Sequence, residues 1–309
     1  MYLSSKIQVY TSSEKCVSAQ LTSLGIEQHK LLGRYLRSRY SKFTSSFTVT
    51  STTYTRTFLS ALALLSTFDP SICSNSVISP TRDTYFRADP QPCQSTNLLK
   101  NSYYEKTWTN VSIDFRQKIT KLFKETWIDV IADQLFVESC SSSIVSYQCK
   151  NSSSAKQNKC LSAEEIANFT SMVSSINHEY VKNINYQRNS FLSVKPLIEQ
   201  VFAESESFRL YSGHDLTLGA ILSFFDFFPD FRVPFASRIV FEFFQGDKFR
   251  VLFNGVQIFP KLPEKVFPVS EFSFEKKFHS LFPKSTSIQD ACSKQSIDNF
   301  RRRKRHLRV

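Results

Sequence analysis

Residues 207–220 read SFRLYSGHDLTLGA, and their reading decides the fold. The apolar run FRLY ends in Ser-Gly, and a helical pattern starts at once, with Leu218, Ile221, Leu222 and Phe225 on one face. A strand hands over to a helix here, and His214 and Asp215 stand side by side in the turn. Such a pair is half of an active site, or else a helix-capping aspartate beside a partly buried histidine.

The same design occurs upstream. SFTVTST (46–52) is a short run of β-branched residues, and YTRTFLSALALLST (54–67) continues as a helix dense in leucine and alanine, with Arg56 at the junction. Before it, LTSLGIEQHKLLGRYLRSRY (21–40) reads as an amphipathic helix capped by Thr22, its face drawn through Leu21, Leu24, Gln28, Leu32, Tyr35 and Arg39. Downstream, RIVFEFF (238–244), the turn QGDK and FRVLFNG (249–255) form a hairpin. The middle carries helical patches at 115–136 and 163–184, separated by a stretch (140–160) with seven serines and three cysteines that reads as a stapled loop.

Strands alternating with helices predict an α/β doubly wound sheet with helices on both faces and an inserted smaller helical domain. The expected organisation is a discontinuous core, 1–90 and 200–300, a helical insert, 91–199, and a basic tail, 301–309. In such sheets ligands gather beyond the carboxyl ends of the strands. Arg56 and the His214–Asp215 pair both occupy post-strand turns, so the topology can bring them to one rim.

Composition narrows the function classes. The chain has 309 residues, 41% of them hydrophobic, enough for a sizeable core. No window reaches the ~18 uninterrupted apolar residues of a membrane span. The net charge of +12 suggests a polyanion partner until its distribution is seen: Arg301, Arg302, Arg303, Lys304, Arg305 and Arg308 supply +6 of it, leaving 12 − 6 = +6 on the other 300 residues. That tail is read as a solvated terminus, with a nuclear signal or a polyanion-binding patch as the alternatives, and no nucleic acid is expected as partner. The seven cysteines lack the spacing of a zinc site, so disulfides are preferred and no metal is expected. Three sequons, at Asn110, Asn151 and Asn168, agree with an oxidising compartment. The segment MYLSSKIQVYTSSEK, by contrast, lacks the apolar core of a signal peptide.

A phosphate monoester at the rim needs cations for its oxygens and a proton for its leaving alkoxide. Arg56 offers planar bidentate donors, the two helix starts offer N–H groups and dipoles, His214 can hold a further oxygen, and Asp215 as an acid can protonate the leaving group. Arg56 alone also fits a surface arginine at a helix start.

QLTSLGIEQHKLLGRYLRSRY (20–40), TSTTYTRTFLSALALL (50–65) and YSGHDLTLGAIL (211–222), in this order, resemble the histidine acid phosphatases of the prostatic and lysosomal type. VPFASRIVFEFF (233–244), FRVLFNGV (249–256) and the DAC ending at Cys292 extend the resemblance toward the phosphoxylose phosphatase branch. It implies hydrolysis of phosphate monoesters at acid pH through a phosphohistidine, without a metal or other cofactor. Arg56 matches a phosphate-binding arginine, His214 the phosphate-contacting histidine and Asp215 the proton donor. Cys93 with Cys292 matches one family disulfide, and Cys149 is left to pair with Cys140 or Cys160. The resemblance also allows a homodimer, a phosphomonoester or phosphorylated glycan as ligand, and a secreted or lysosomal location once a leader is restored.

The family's nucleophile lies in an Arg-His-Gly-x-Arg-x-Pro motif after the first strand. KIQVY (6–10) can be that strand, but TSSEK follows it, and no such motif occurs in the chain. The first strand is therefore expected to be incomplete or missing. The chain as written is expected to be either a truncated acid phosphatase or a pseudophosphatase that binds a phosphorylated ligand or a protein partner.

Overall fold

The computed structural model describes residues 20–40, 47–69, 78–81, 108, 111–123, 131–133, 135, 160–203 and 208–291. KIQVY and the 301–309 tail lie outside them. Two compact units divide the chain: Met1–Pro90, Val194–Leu218 and Pro234–Phe272 form one, and Gln91–Ser193, Gly219–Val233 and Ser273–Val309 the other.

The first unit begins with α1 (Ser23–Tyr40), β1 (Phe47–Thr52), α2 (Thr55–Phe68) and β2 (Ile78–Thr81). Strand β3 (Phe208–Ser212) pairs with β1 in parallel, Phe47 beside Phe208 and Ser51 beside Ser212, and β2 pairs with the other edge of β1. The order β2-β1-β3 is a parallel sheet in which β1 and β3 run into helices, the α/β class expected. Among the described residues β3 has a partner on one side only.

Thr22 caps α1, its Oγ1 accepting from the Gly25 N–H at 3.0 Å. The buried face of α1 is Leu32, Gly33 and Leu36, whereas Leu24 and Tyr35 of the anticipated face are exposed. The reason is α2. A Cβ built on Gly33 would fall 2.2 Å from the Leu64 carbonyl oxygen and 2.3 Å from Thr67 Oγ1, so only glycine allows the helices this close. Thr67 Oγ1 then donates across the contact to the Lys30 carbonyl at 2.6 Å. Leu32, Leu36, Ala61, Leu64, Leu65 and Phe68 close over Val49 of the sheet, and the rings of Phe47, Phe68 and Phe208 stack within 5.6 Å of one another.

The same unit holds an antiparallel sheet of β4 (Ile239–Phe244), β5 (Lys248–Phe253), β6 (Val256–Phe259) and β7 (Phe267–Pro268). The β4–β5 hairpin turns through Gly246 at φ 77°, which glycine adopts without strain. Phe249 is wholly buried at its centre, ringed by Phe202, Phe243, Phe259, Phe267 and Phe272. Glu242 of β4 joins the hairpin to the end of α1: it accepts from Tyr40 Oη at 2.5 Å and pairs with Arg39 and Arg250. Burial works to raise the Glu242 carboxyl, but the hydrogen bonds from Tyr40 and Arg250 and the two cations outweigh it and hold it below the usual carboxylate range. Tyr40 is pushed up to about 12, by burial and by that carboxylate.

The second unit is mainly helical. It contains α3 (Ile113–Phe123), α4 (Ala163–Lys182) and the first half of α5 (Ile184–Ala203). A capping box starts α4: Ser162 Oγ accepts from the Glu165 N–H at 3.1 Å, and Glu165 Oε2 accepts from the Ser162 N–H at 2.7 Å. Ile119, Leu161, Phe169 and Val173 form the core between α3 and α4. Phe191 stacks on Phe224 of α6 (Asp215–Phe224) at 5.5 Å and packs with Phe278 and Phe282 around α7 (Phe274–Leu281). No helix among the described residues is long and apolar enough to cross a membrane.

Candidate active site

Strands β1 and β3 are neighbours and parallel, so the turns at their carboxyl ends meet. Arg56, the second residue of α2, and His214, just before α6, are thereby brought together across 158 positions, with Arg56 Nη2 3.5 Å from His214 Nδ1. Asp215 is the first residue of α6 and is half-buried. Both helices thus begin at the site, and the positive ends of their dipoles favour an anion there.

The hydrogen bonds fix the histidine's tautomer. A guanidinium has only donors, so Arg56 donates to Nδ1 and the neutral ring carries its proton on Nε2. Nε2–H donates to Thr52 Oγ1 at 3.0 Å, Thr52 donates to Thr57 Oγ1 at 2.8 Å, and Thr57 donates to the Tyr54 carbonyl at 2.8 Å. Ser212 Oγ donates to the Thr57 carbonyl at 2.7 Å and ties β3 to the start of α2. Every hydroxyl in this chain has a direction, and Nδ1 is left facing the cation. Tyr54 supplies a floor: its ring meets His214 edge-on at 5.0 Å, and the Arg56 guanidinium lies 4.5 Å above it.

His214 is 7% exposed, and burial first, then the Arg56 charge, bring its pKa down to about 4 against an opposing pull from Asp215. The unfolded chain takes up this proton near the ordinary value of 6.5, the folded one only near 4. The neutral ring therefore contributes stability in full above pH 6.5, and that contribution is lost as pH falls from 6.5 toward 4. It amounts to on the order of 3 kcal/mol. Urea unfolding at pH 7 and pH 4.5 checks this: His214→Asn is expected to lose distinctly less stability than the wild type between the two, and equal losses contradict it.

Thr52, Thr57 and Tyr54 were not assigned roles from sequence, although the hydroxyl-rich run TSTTYTRT was the available signal. Of the disulfide candidates, Cys160 is buried and disulfide-bonded, while Cys93, Cys140, Cys149 and Cys292 lie outside the described residues. Asn110 and Asn151 lie outside them too, and Asn168 is exposed on α4. Among the described residues no group of three or more His, Cys, Asp or Glu is placed to hold a metal ion.

No family model matches the chain. It is similar to 2-phosphoxylose phosphatase 1 of Xenopus tropicalis, 29% identical over 334 residues covering 90% of this chain and 63% of that protein. It is also similar to 2-phosphoxylose phosphatase 1 of Mus musculus, 27% identical over 339 residues, 93% of this chain and 68% of that protein. Lysosomal acid phosphatase of Xenopus laevis matches at 24% over 260 residues, 74% of this chain and 59% of that one. The chain thus spans roughly two thirds of the length of the curated relatives it matches. Among solved structures it is similar to the Klebsiella sp ASR1 phytase, at TM-score 0.49 and 14% identity over 78% of this chain and 75% of that one. With relatives aligned over nearly its whole length, and with the ordered motifs assembled at one strand-end rim, the chain is similar to phosphatases of the histidine acid phosphatase type.

Proposed function

We propose that the rim formed by Arg56, His214 and Asp215 binds the phosphate of a phosphate monoester and supplies the proton-donating half of its acid hydrolysis. The observation that carries this reading is the Arg56–His214 contact, because it presents a planar cation and an aimed imidazole Nδ1 to the same small volume. Arg56 holds two phosphate oxygens. An arriving dianion raises the His214 pKa from about 4, so the ring gains a proton at Nδ1 and donates it in a hydrogen bond to a third oxygen. Asp215, as the general acid, gives a proton to the leaving alkoxide.

No Arg-His-Gly sequence occurs in residues 1–309. The relatives' printed names support a phosphorylated sugar, a phosphoxylose, as the substrate class, and a lumenal location. A second reading is a pseudophosphatase that binds the same phosphate without turnover.

Turnover of p-nitrophenyl phosphate at pH 5 separates the two. If the full chain hydrolyses it and Asp215→Ala lowers the rate by about 100-fold or more, the hydrolytic reading stands. Absent turnover with phosphate binding intact leaves the binding-only reading. Turnover insensitive to Asp215→Ala removes the role assigned to that residue.

A further inference from the structure

The first turn of α4 borders a cleft of about 400 Å³ within the helical unit, lined by Ser112, Asp114, Phe115 and Lys118 on one side and Glu165 and Asn168 on the other. That volume falls in the small part of the range for ligand pockets, about 300–1,000 Å³. Lys118 is 8% exposed and places Nζ 2.7 and 2.8 Å from the two carboxylate oxygens of Glu165. Glu165 is further engaged by the Ser162 N–H. The Lys118 and Glu165 charges cancel in the wall, which leaves Asp114 as the one unbalanced charge among the six lining residues. What remains accessible is mixed: the half-buried ring of Phe115, the hydroxyl of Ser112 and the carboxylate of Asp114.

That combination suits a neutral sugar, whose C–H face lies on an aromatic ring while its hydroxyls take polar partners. The sixth lining residue, Asn168, opens the sequon Asn168-Phe169-Thr170. Phe169 is 1% exposed and anchors the core, which leaves Asn168 exposed at the border of the cleft. The attachment atom and the cavity therefore adjoin.

We propose that Asn168 carries an N-linked glycan whose first N-acetylglucosamine seats in this cleft against Phe115. The donor is an oligosaccharide on a polyprenyl diphosphate. The bond between the sugar's anomeric carbon and the diphosphate oxygen breaks, its electron pair leaving with the diphosphate. A bond from that carbon to Asn168 Nδ2 forms, and the amide loses one proton to the transferase. In the folded protein the Thr170 hydroxyl is engaged by the Ile166 and Ala167 carbonyls at 2.9 and 3.0 Å, so transfer precedes the folding of α4. The site does not depend on the phosphatase reading.

The test uses the full chain, produced in a eukaryotic host behind a secretory leader, with Asn110→Gln and Asn151→Gln so that one sequon remains. Mass spectrometry of the secreted protein is expected to find the Asn168 peptide glycosylated, the glycan lost in Thr170→Ala and kept in Thr170→Ser. An unmodified Asn168 in secreted protein overturns the proposal. For the seat, the glycan is trimmed to a single sugar and the melting temperature compared with fully deglycosylated protein. A rise of about 2–4 °C is expected, reduced in Phe115→Leu at unchanged occupancy. Identical melting temperatures with and without the sugar overturn the seat.

Discussion

Arg56→Met is expected to weaken binding of a phosphate monoester by roughly 100-fold. Two charge-assisted hydrogen bonds from a planar guanidinium are worth about 3 kcal/mol together in a partly buried site, and each 1.4 kcal/mol is about tenfold in affinity. Methionine keeps an unbranched apolar side chain but removes the guanidinium that lies over Tyr54, and with it the charge and the donors. The Arg56 cation also helps hold His214 near pKa 4, so its loss lets the ring protonate at higher pH. The variant should therefore bind phosphate weakly at every pH, with a flatter pH dependence than the wild type. Calorimetric titration at pH 5 and pH 7 reads both effects. An unchanged affinity removes Arg56 from the site.

Gly33→Ala is expected to destabilise the first unit by about 3 kcal/mol. The added Cβ meets the backbone carbonyl of Leu64 at 2.2 Å, which does not rotate away, and displaces Thr67 from its bond to the Lys30 carbonyl. Alanine's better helix propensity recovers only about 1 kcal/mol. Gly25, on the same helix, is the internal control: a Cβ there meets the end of the Leu21 side chain at 2.7 Å, which can turn aside. Gly25→Ala should be neutral or slightly stabilising. Urea midpoints at pH 7 compare the two, and equal midpoints would mean that α1 and α2 are not packed as described.

The strand-to-helix handovers were legible because each is local. In SFTVTST and SFRLYSG a β-branched or apolar run ends abruptly, and the helical period starts within three residues, so Arg56 and His214 could be placed in turns before any tertiary information. Their meeting followed from a general property of parallel sheets. The β4–β5 hairpin was equally local, marked by Gly246 between two phenylalanine-rich runs. What sequence alone missed was set by contacts between elements. The face of α1 was drawn through Leu24 and Tyr35 because side-chain hydrophobicity says nothing of a close approach at Gly33. Helix α5 was not singled out, since Pro196 inside it is a poor helix signal. The Thr52–Thr57 chain has no periodicity, and its direction comes only from Arg56 standing on the far side of the ring.

The central claim is that His214 and Arg56 form one phosphate-binding site, and the most direct test is nuclear magnetic resonance of the His214 ring nitrogens during titration with sulfate. Sulfate keeps both charges across the acid range, so any proton taken up belongs to the protein. His214→Asn identifies the signals among the five histidines of the chain. Free protein at pH 5.5 should show a neutral ring with its proton on Nε2, as the bond to Thr52 requires. Saturating sulfate should bring the ring into its protonated form, its pKa raised well above the starting value of about 4. If sulfate saturates the protein and the His214 nitrogens do not move, the anion binds elsewhere and the site proposed for phosphate is wrong.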